Sequence, residues 1–255
     1  MDFTLNQYQR LLEALKASGM PYRLRHDVDL QPANSLRVAK IEAAMGITAT
    51  YYYRTVKESY DEEVIRAIAA MGHETGYHYE CLTTTHGDME EAYADFCRNL
   101  ERLRRLAPVH SICMHGSPRS PWDSRDLWKH YDYRLLGIDY EPYLDTDFSR
   151  TLYLTDTGRR WDGYRVSVRD KIPEYQDLWE RQGLVFHTTA DVVAQLEDAA
   201  SPLRTSGLEL LITTHPQRWN PWGMAYLAEW ATQNAKNIVK KKLVEKKKKK
   251  SLKTQ

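Results

Sequence analysis

Two carboxylates stand two residues apart in the segment HDVD, His26–Asp29. The segment follows Tyr22–Arg25, a predicted short strand, and continuing the extended backbone aims Asp27 and Asp29 the same way. Two nearby carboxylates repel each other unless one takes up a proton or a cation neutralises the pair. A divalent metal bound by one of them leaves the other to act as a base. The alternative, for Asp29 alone, is a turn or a cap for the helix that begins at Pro32.

Histidines follow further predicted strands. The segment GHETGYHYE, Gly72–Glu80, places His78 and Glu80 on one strand face, and imidazole with carboxylate is ordinary Zn²⁺ ligation. His115 ends the strand that leads into MHGSP, and His215 ends the very apolar strand of ITTHPQRW. Glu80 has three interpretations: a metal ligand, an outer partner of His78, which we favour, or a sheet-edge salt bridge. Since active sites lie at the C-terminal ends of parallel strands in α/β barrels, we expect these residues at that edge.

A loop of charged and aromatic residues, TDTGRRWDG, spans Thr155–Gly163. Trp161 beside Arg160 is typical of a sugar-binding wall, and the equal alternative is a Trp packed inside the barrel. Arg218, three residues after His215, is the third predicted substrate-binding residue. Arg159, Arg160 and Arg218 leave a phosphoesterase as an alternative, because such an enzyme needs a basic pocket or a second metal.

Helix and strand patterns alternate along the chain, which favours a parallel sheet and an α/β fold. The predicted helices are 5–18, 32–45, 61–71, 89–106, 190–196 and 223–244, and the predicted strands are 22–25, 47–53, 75–78, 111–115, 184–187 and 208–213. Residues 120–182 show only short periodic segments. Without a repeat or a Gly/Ser linker, one domain over residues 1–235 is the economical interpretation, followed by a basic helix end and tail, 236–255.

The composition indicates a folded globular protein, with 255 residues, 42% of them hydrophobic and 28% charged. No stretch reaches the roughly 18 uncharged apolar residues of a membrane helix. The N-terminus lacks the pattern of a signal peptide, and three widely spaced cysteines suit a reducing compartment. We therefore predict a cytoplasmic location.

Charge is divided unevenly along the chain. Residues 236–255 carry ten Lys and one Glu, whereas the whole chain has a net charge of +1, so residues 1–235 are net negative. An acidic body argues against nucleic acid as the main partner. The Lys-rich tail is predicted to be a solvated terminus that makes at most peripheral contact with anionic membrane lipids.

The segments with possible catalytic or metal-binding residues, taken in chain order, resemble the motifs of the polysaccharide deacetylase family, carbohydrate esterase family 4. The resemblance extends over most of the chain. HDVD is similar to the first motif and implies Asp27 as the general base and Asp29 as a metal ligand. GHETGYH resembles the second motif and implies His78 as a ligand, and ITTHP resembles the last, implying His215 as a catalytic residue. The resemblance implies a distorted (β/α) barrel, one divalent metal, Zn first, and removal of an acetyl group from an N-acetylated sugar.

Three departures from the family's pattern concern the metal site. Val28 separates an acidic pair that is usually adjacent, and Leu82 stands where a second ligand His follows His78. His115 stands in place of the Arg that begins the third motif and orients the base. The closest resemblance is to a divergent cytoplasmic branch with HDVD, GYHYE and CMHGSP motifs, associated with bacterial surface-polysaccharide (lipopolysaccharide) biosynthesis. The expected third ligand is His115, with His86 as the alternative.

The resemblance implies metal-assisted amide hydrolysis. The metal, held by Asp29, His78 and His115, polarises the acetyl carbonyl and its attacking water. Asp27 takes the proton from the water, and His215 donates one to the departing sugar amine. Two rivals remain: a catalytically silent sugar-binding relative, and another metal-dependent amidohydrolase or phosphoesterase on the same barrel.

Overall fold

The computed structural model describes residues 1–117, 120–165, 167, 170–221 and 223–251. Its α-helices are α1 (Leu5–Ser18), α2 (Pro32–Ala44), α3 (Glu62–Ala70), α4 (Cys81–Thr84), α5 (Met89–Arg104), α6 (Pro142–Asp145), α7 (Pro173–Arg181), α8 (Thr189–Glu197), α9 (Pro202–Thr205) and α10 (Met224–Ser251). Its strands are β1 (Tyr22–Val28), β2 (Thr50–Tyr53), β3 (Glu74–Tyr79), β4 (Val109–Met114), β5 (Thr151–Thr155) and β6 (Glu209–Thr214).

The described chain divides into two compact units. The inserted unit is the continuous stretch Leu24–Asp147, and the terminal unit combines Met1–Arg23 with Phe148–Gln255. The names refer to chain order alone. One domain over residues 1–235 stays a prediction.

In the inserted unit, four strands form a parallel sheet in the order β4-β3-β2-β1. The three tyrosines of β2 are buried, as expected of parallel strands covered on both faces. The register places Asp27 beside Tyr52 and His78 beside Cys113. Gly76 is required where β3 passes Tyr52, because a Cβ there would lie 2.3 Å from the ring. The sheet thus brings the polar residues of β1 and β3 to neighbouring positions.

Aspartates fix the starts of two helices of this unit. The side chain of Asp61 accepts a hydrogen bond from the backbone of Val64 at the start of α3, and Asp88 begins α5 in the same way. Helix α5 then buries one apolar face, including Phe96 against the ring of Tyr77 at 5.1 Å. The helix thereby covers β3, which carries His78.

In the terminal unit, β5 and β6 pair in parallel from Thr151 with Glu209 to Thr155 with Thr213. Helix α1 packs against α8 and fully buries three of its leucines, Leu11, Leu12 and Leu15. The backbone N–H of Leu210 donates to the carbonyl oxygen of Pro21. The first residues of the chain are therefore part of the same core as β6.

The α/β fold class with parallel strands is confirmed, and helix α1 has the bounds predicted for it. Two predictions of local structure were wrong. Residues 184–187 form no strand in the described structure; Leu184 and Phe186 are buried side chains of a connecting segment. Strand β5, in the stretch without a clear pattern, was missed. Pro118 of the CMHGSP motif and residues 252–255 of the basic tail lie outside the described residues.

Among the described residues, no helix has the length and apolar character that crossing a lipid bilayer requires.

Candidate metal centre and a second polar cluster

Three side chains of the inserted unit converge where β1, β3 and β4 end. The Nε2 atoms of His78 and His115 each lie 3.6 Å from the same oxygen, Oδ1 of Asp29. The two imidazole rings meet edge to face at 5.1 Å. The ligand atoms of all three residues lie within 4.8 Å of one another. This spread and donor set fit a single divalent metal such as zinc, which is bound by imidazole nitrogen and carboxylate oxygen.

The second ring nitrogen of each histidine is fixed by an acceptor. Nδ1 of His78 donates to the carbonyl oxygen of Cys113 at 2.9 Å, and Nδ1 of His115 donates to Oε2 of Glu80 at 2.9 Å. A neutral imidazole that donates from Nδ1 has an unprotonated Nε2, and it is Nε2 that faces Asp29. Outer partners of this kind orient metal-binding histidines.

Burial sets the protonation of His78. It lowers the pKa of this ring to about 4, against the raising effect of the carboxylates of Asp27 and Asp29. The ring is therefore neutral at pH 7. A metal can bind to it without displacing a proton.

Asp27 forms a buried bidentate pair with Arg25 of the same strand. The guanidinium nitrogens lie 2.9 and 2.8 Å from the two carboxylate oxygens. Oδ2 of Asp27 is also 3.7 Å from Nε2 of His78. The guanidinium lies over the rings of Tyr52 and Tyr143, with its central carbon 5.6 and 5.0 Å from their centroids. Arg25 thus orients Asp27 beside the candidate metal centre.

A second candidate group shares His78 with the first. It consists of Asp27, His78 and the buried Cys113, whose ligand atoms also lie within 4.8 Å of one another. In this group both carboxylate oxygens of Asp27 already accept hydrogen bonds from Arg25. We therefore favour the group of Asp29, His78 and His115.

Glu80 bridges His115 and Arg54. Nε and Nη2 of Arg54 donate to Oε1 at 2.8 and 2.5 Å, while Oε2 accepts from His115. Burial alone would raise the pKa of Glu80, but the hydrogen bond from His115 and the charges of His115 and Arg54 lower it to about 2. Glu80 is therefore a carboxylate and an outer partner, but of His115 rather than His78 as we expected.

Two other histidine positions are not brought to this centre. His86 has a positive φ of 53° and packs its ring against Trp122, at 5.9 Å between centroids. His26 belongs to a buried network, in which its Nε2 lies 2.7 Å from Oε1 of Glu42 and the hydroxyl of Tyr51 donates to Oε2. The described structure thus places His115, and not His86, with Asp29 and His78.

His215 lies in the terminal unit and has its own carboxylate partner, Asp156. Nδ1 of His215 is 2.6 Å from Oδ1 of Asp156, and its backbone N–H donates to Oδ2 at 2.9 Å. Arg218 and Trp219 donate to the same carboxylate at 2.5 and 2.8 Å. Burial would raise the pKa of Asp156, but the charges of Arg218 and His215 lower it overall. Asp156 is therefore a fully buried anion that fixes the ring of His215.

The predicted substrate-binding residues also lie in the terminal unit. Trp161 is 4% exposed, with its ring 6.3 Å from those of Phe3 and Trp219. This burial favours the packing alternative over an exposed sugar-binding wall. Arg160 pairs with a neighbouring aspartate, and Arg218 with the anion that holds His215.

The motif reasoning did not single out Arg25, Arg54 or Asp156. Arg25 could have been found, because it stands two residues before Asp27 and therefore on the same strand face. Asp156 directly follows β5, the strand that the sequence patterns did not reveal. Arg54 follows β2 but has no spacing signal of its own.

Comparison with protein-family models and with curated proteins finds no match. Among solved structures, the chain is similar to one described as the structure of Bacillus subtilis PdaA, a family 4 carbohydrate esterase. The sequence identity is 12% and the TM-score 0.39, over 88% of this chain and 82% of that one.

Proposed function

We propose that this protein is a metal-dependent hydrolase that removes the acetyl group from an N-acetylated sugar. The observation that carries the proposal is the pair of imidazole Nε2 atoms, each 3.6 Å from Oδ1 of Asp29, with both Nδ1 atoms held by acceptors. The motif resemblance adds the acetylated sugar, zinc as the first choice of metal, and a cytoplasmic role in surface-polysaccharide biosynthesis.

In this mechanism Asp29, His78 and His115 would hold the metal, which when bound would supply Lewis acidity toward an acetyl carbonyl. Asp27 accepts a proton from the attacking water. Arg25 holds Asp27 at both carboxylate oxygens, so the base is oriented before the substrate arrives.

The departing amine needs a proton, and we propose His215 as its donor. Nδ1 of His215 lies 2.6 Å from Oδ1 of Asp156, which only accepts, and 2.7 Å from Nη1 of Arg218, which only donates. Because either contact engages Nδ1 and fixes the ring, we propose proton transfer at Nε2. Histidine is the side chain that most often transfers protons in such a step.

A phosphoesterase is a weaker proposal for this chain. Of the arginines that would bind a phosphate, Arg160 and Arg218 are paired with carboxylates, at 2.5 Å in each case, and Arg159 donates to the backbone oxygens of Arg218 and Asp2. A silent sugar-binding relative stays an outcome of the experiment that follows.

The test measures metal content and acetate release on the same purified protein. We expect one divalent metal per chain and acetate release from an N-acetylated sugar, lost with a chelator and restored by zinc. Protein without exchangeable metal that still binds sugar would favour the silent relative. Metal-bound protein that releases phosphate from sugar phosphates, but no acetate, would favour a phosphoesterase.

Removing either candidate third ligand tests the metal set. His115→Ala is expected to lower metal affinity by at least about 100-fold, more than the loss of an outer partner costs. His86→Ala should bind metal like the wild type, because its ring packs on Trp122 instead. Elemental analysis after dialysis against a weak chelator measures both. The opposite pattern would make His86 the ligand.

Glu80 is expected to position His115, so Glu80→Gln should weaken metal affinity about 10–100-fold. The amide keeps the size of the side chain but removes the charge that pairs with Arg54. The matched control is Glu74→Gln at the start of β3, the strand that precedes Glu80, where the exposed carboxylate contacts Thr50. Competition with a metal-binding dye gives the affinities. Equal affinities for the two variants would contradict this role.

A further inference from the structure

Helix α10 turns a polar face toward the terminal unit. Tyr226 and Gln233 are 5% and 4% exposed on this face. The hydroxyl of Tyr226 donates to the backbone oxygen of Asp2, and the amide of Asn237 donates to the backbone oxygen of Gly158, both at 2.8 Å. The helix is therefore anchored through hydrogen bonds rather than through an apolar stripe.

Four large apolar side chains of α10 are exposed on its outer face. We call Met224, Leu227, Trp230 and Ile238 the α10 stripe; they are 82%, 44%, 52% and 62% exposed. At 3.6 residues per turn, their spacing keeps them within an arc of about 120°. A soluble helix normally buries such a stripe and exposes its polar face. This helix instead leaves four large apolar side chains exposed along one side, and clustered exposed apolar side chains indicate an interaction site.

The sequence that follows the α10 stripe indicates a negatively charged partner. Between Lys236 and Lys253 the chain carries ten Lys and one Glu, and α10 runs on into this segment as far as Ser251. Lys clusters next to an amphipathic helix are attracted to anionic lipid headgroups. Trp230 belongs to the stripe, and Trp side chains are enriched at the interface between headgroups and acyl chains.

We propose that α10 docks on an anionic lipid bilayer, with the α10 stripe inserted at the interface and the Lys-rich end on the headgroups. The helix then lies in the plane of the membrane surface and does not cross it. A sugar on a lipid carrier would be presented at such a surface. The docking does not depend on the proposed hydrolysis and is tested without it.

The test is sedimentation of the full-length protein with vesicles of phosphatidylcholine, with or without about one third phosphatidylserine. We expect binding to the anionic vesicles that weakens as salt is raised. Replacing the stripe's centre, with Leu227→Ser and Trp230→Ser together, should lower the partition coefficient at least about tenfold, as expected when large apolar side chains are removed from an apolar environment.

Two control variants distinguish the contribution of the α10 stripe from nonspecific apolar binding and from electrostatic attraction. Leu135→Ser removes a leucine that is 84% exposed in the inserted unit, and it should bind vesicles like the wild type. Truncation after Lys240 should remove the preference for anionic vesicles. Circular dichroism and thermal unfolding verify that each variant is folded.

Three results would overturn the proposal. One is equal binding to neutral and anionic vesicles. Another is unchanged binding by the Leu227→Ser/Trp230→Ser variant, which would mean that the Lys-rich end alone accounts for binding to the vesicles. The third is a dimer in sedimentation velocity that this variant dissolves, which would make a second copy of the chain the occupant of the stripe.

Discussion

Replacing Asp27 by Asn is expected to lower kcat by about 10²–10⁴-fold, because an amide cannot take a proton from the attacking water. Metal content should stay near that of the wild type, since the proposed ligand set is Asp29, His78 and His115. Asn keeps the shape of Asp27 and one acceptor oxygen for Arg25. The variant is measured for acetate release and for metal by elemental analysis.

The substitution Asp29→Asn, two residues later in the chain, is the matched control for Asp27→Asn. Asp29→Asn should lose metal, because Oδ1 of Asp29 is the oxygen shared by both imidazoles. If Asp29→Asn kept its metal while Asp27→Asn lost it, the roles would be exchanged. The metal would then belong to the group of Asp27, His78 and Cys113.

Stability must be followed alongside activity for Asp27→Asn. Arg25 and Asp27 have side chains only 2% and 6% exposed, and breaking a buried ion pair costs about 3–5 kcal/mol when one charge is left without its partner. Activity is therefore assayed well below the unfolding temperature of the variant. A normal circular dichroism spectrum with lost turnover isolates the role of the base.

Asp156→Ala is expected to have the largest effect on stability in the terminal unit. It leaves the buried guanidinium of Arg218 without its carboxylate and removes acceptors from His215 and Trp219. We expect the free energy of unfolding to fall by about 3–5 kcal/mol at pH 7. Urea unfolding measures it. The control Glu91→Ala breaks the exposed pair with Arg98 and should cost less than about 1 kcal/mol.

The difference in stability between the wild type and Asp156→Ala depends on pH because the pKa of Asp156 is lowered in the folded protein. A carboxyl group whose pKa is lower in the folded state contributes stability above its unfolded pKa of about 3.9. That contribution to stability is lost as the pH falls through the pKa that Asp156 has in the folded state. The stability difference between wild type and Asp156→Ala should therefore be full at neutral pH and shrink in acid. A difference that grew on acidification would contradict the assigned direction.

Much of the inserted unit could be predicted, because its elements are local patterns with strong boundaries. The helices follow aspartate caps and amphipathic spacing, and the buried strands are short runs of β-branched and aromatic residues. Asp29, His78 and His115 could be grouped because parallel strands bring their C-terminal ends to one edge. The bidentate contact of Arg25 depends on side-chain geometry that residue spacing does not specify.

The terminal unit was harder to predict for a physical reason. Strand β5 has five residues and is surrounded by loops rich in Trp, Tyr and Asp, so its periodicity is too short to stand out. Its pairing with β6 is a long-range contact, which fixes a strand that local propensity leaves undecided. Without β5, Asp156 had no predicted place beside His215.

The discontinuous terminal unit has a consequence for the order of events during synthesis. The inserted unit, Leu24–Asp147, is one continuous stretch, so it is synthesised in full before the second part of the terminal unit. Helix α1 emerges before the inserted unit but must wait for α8 before Leu11, Leu12 and Leu15 are covered. During that interval the nascent chain displays an unsatisfied leucine face, which makes α1 the expected binding site for a chaperone on the nascent chain.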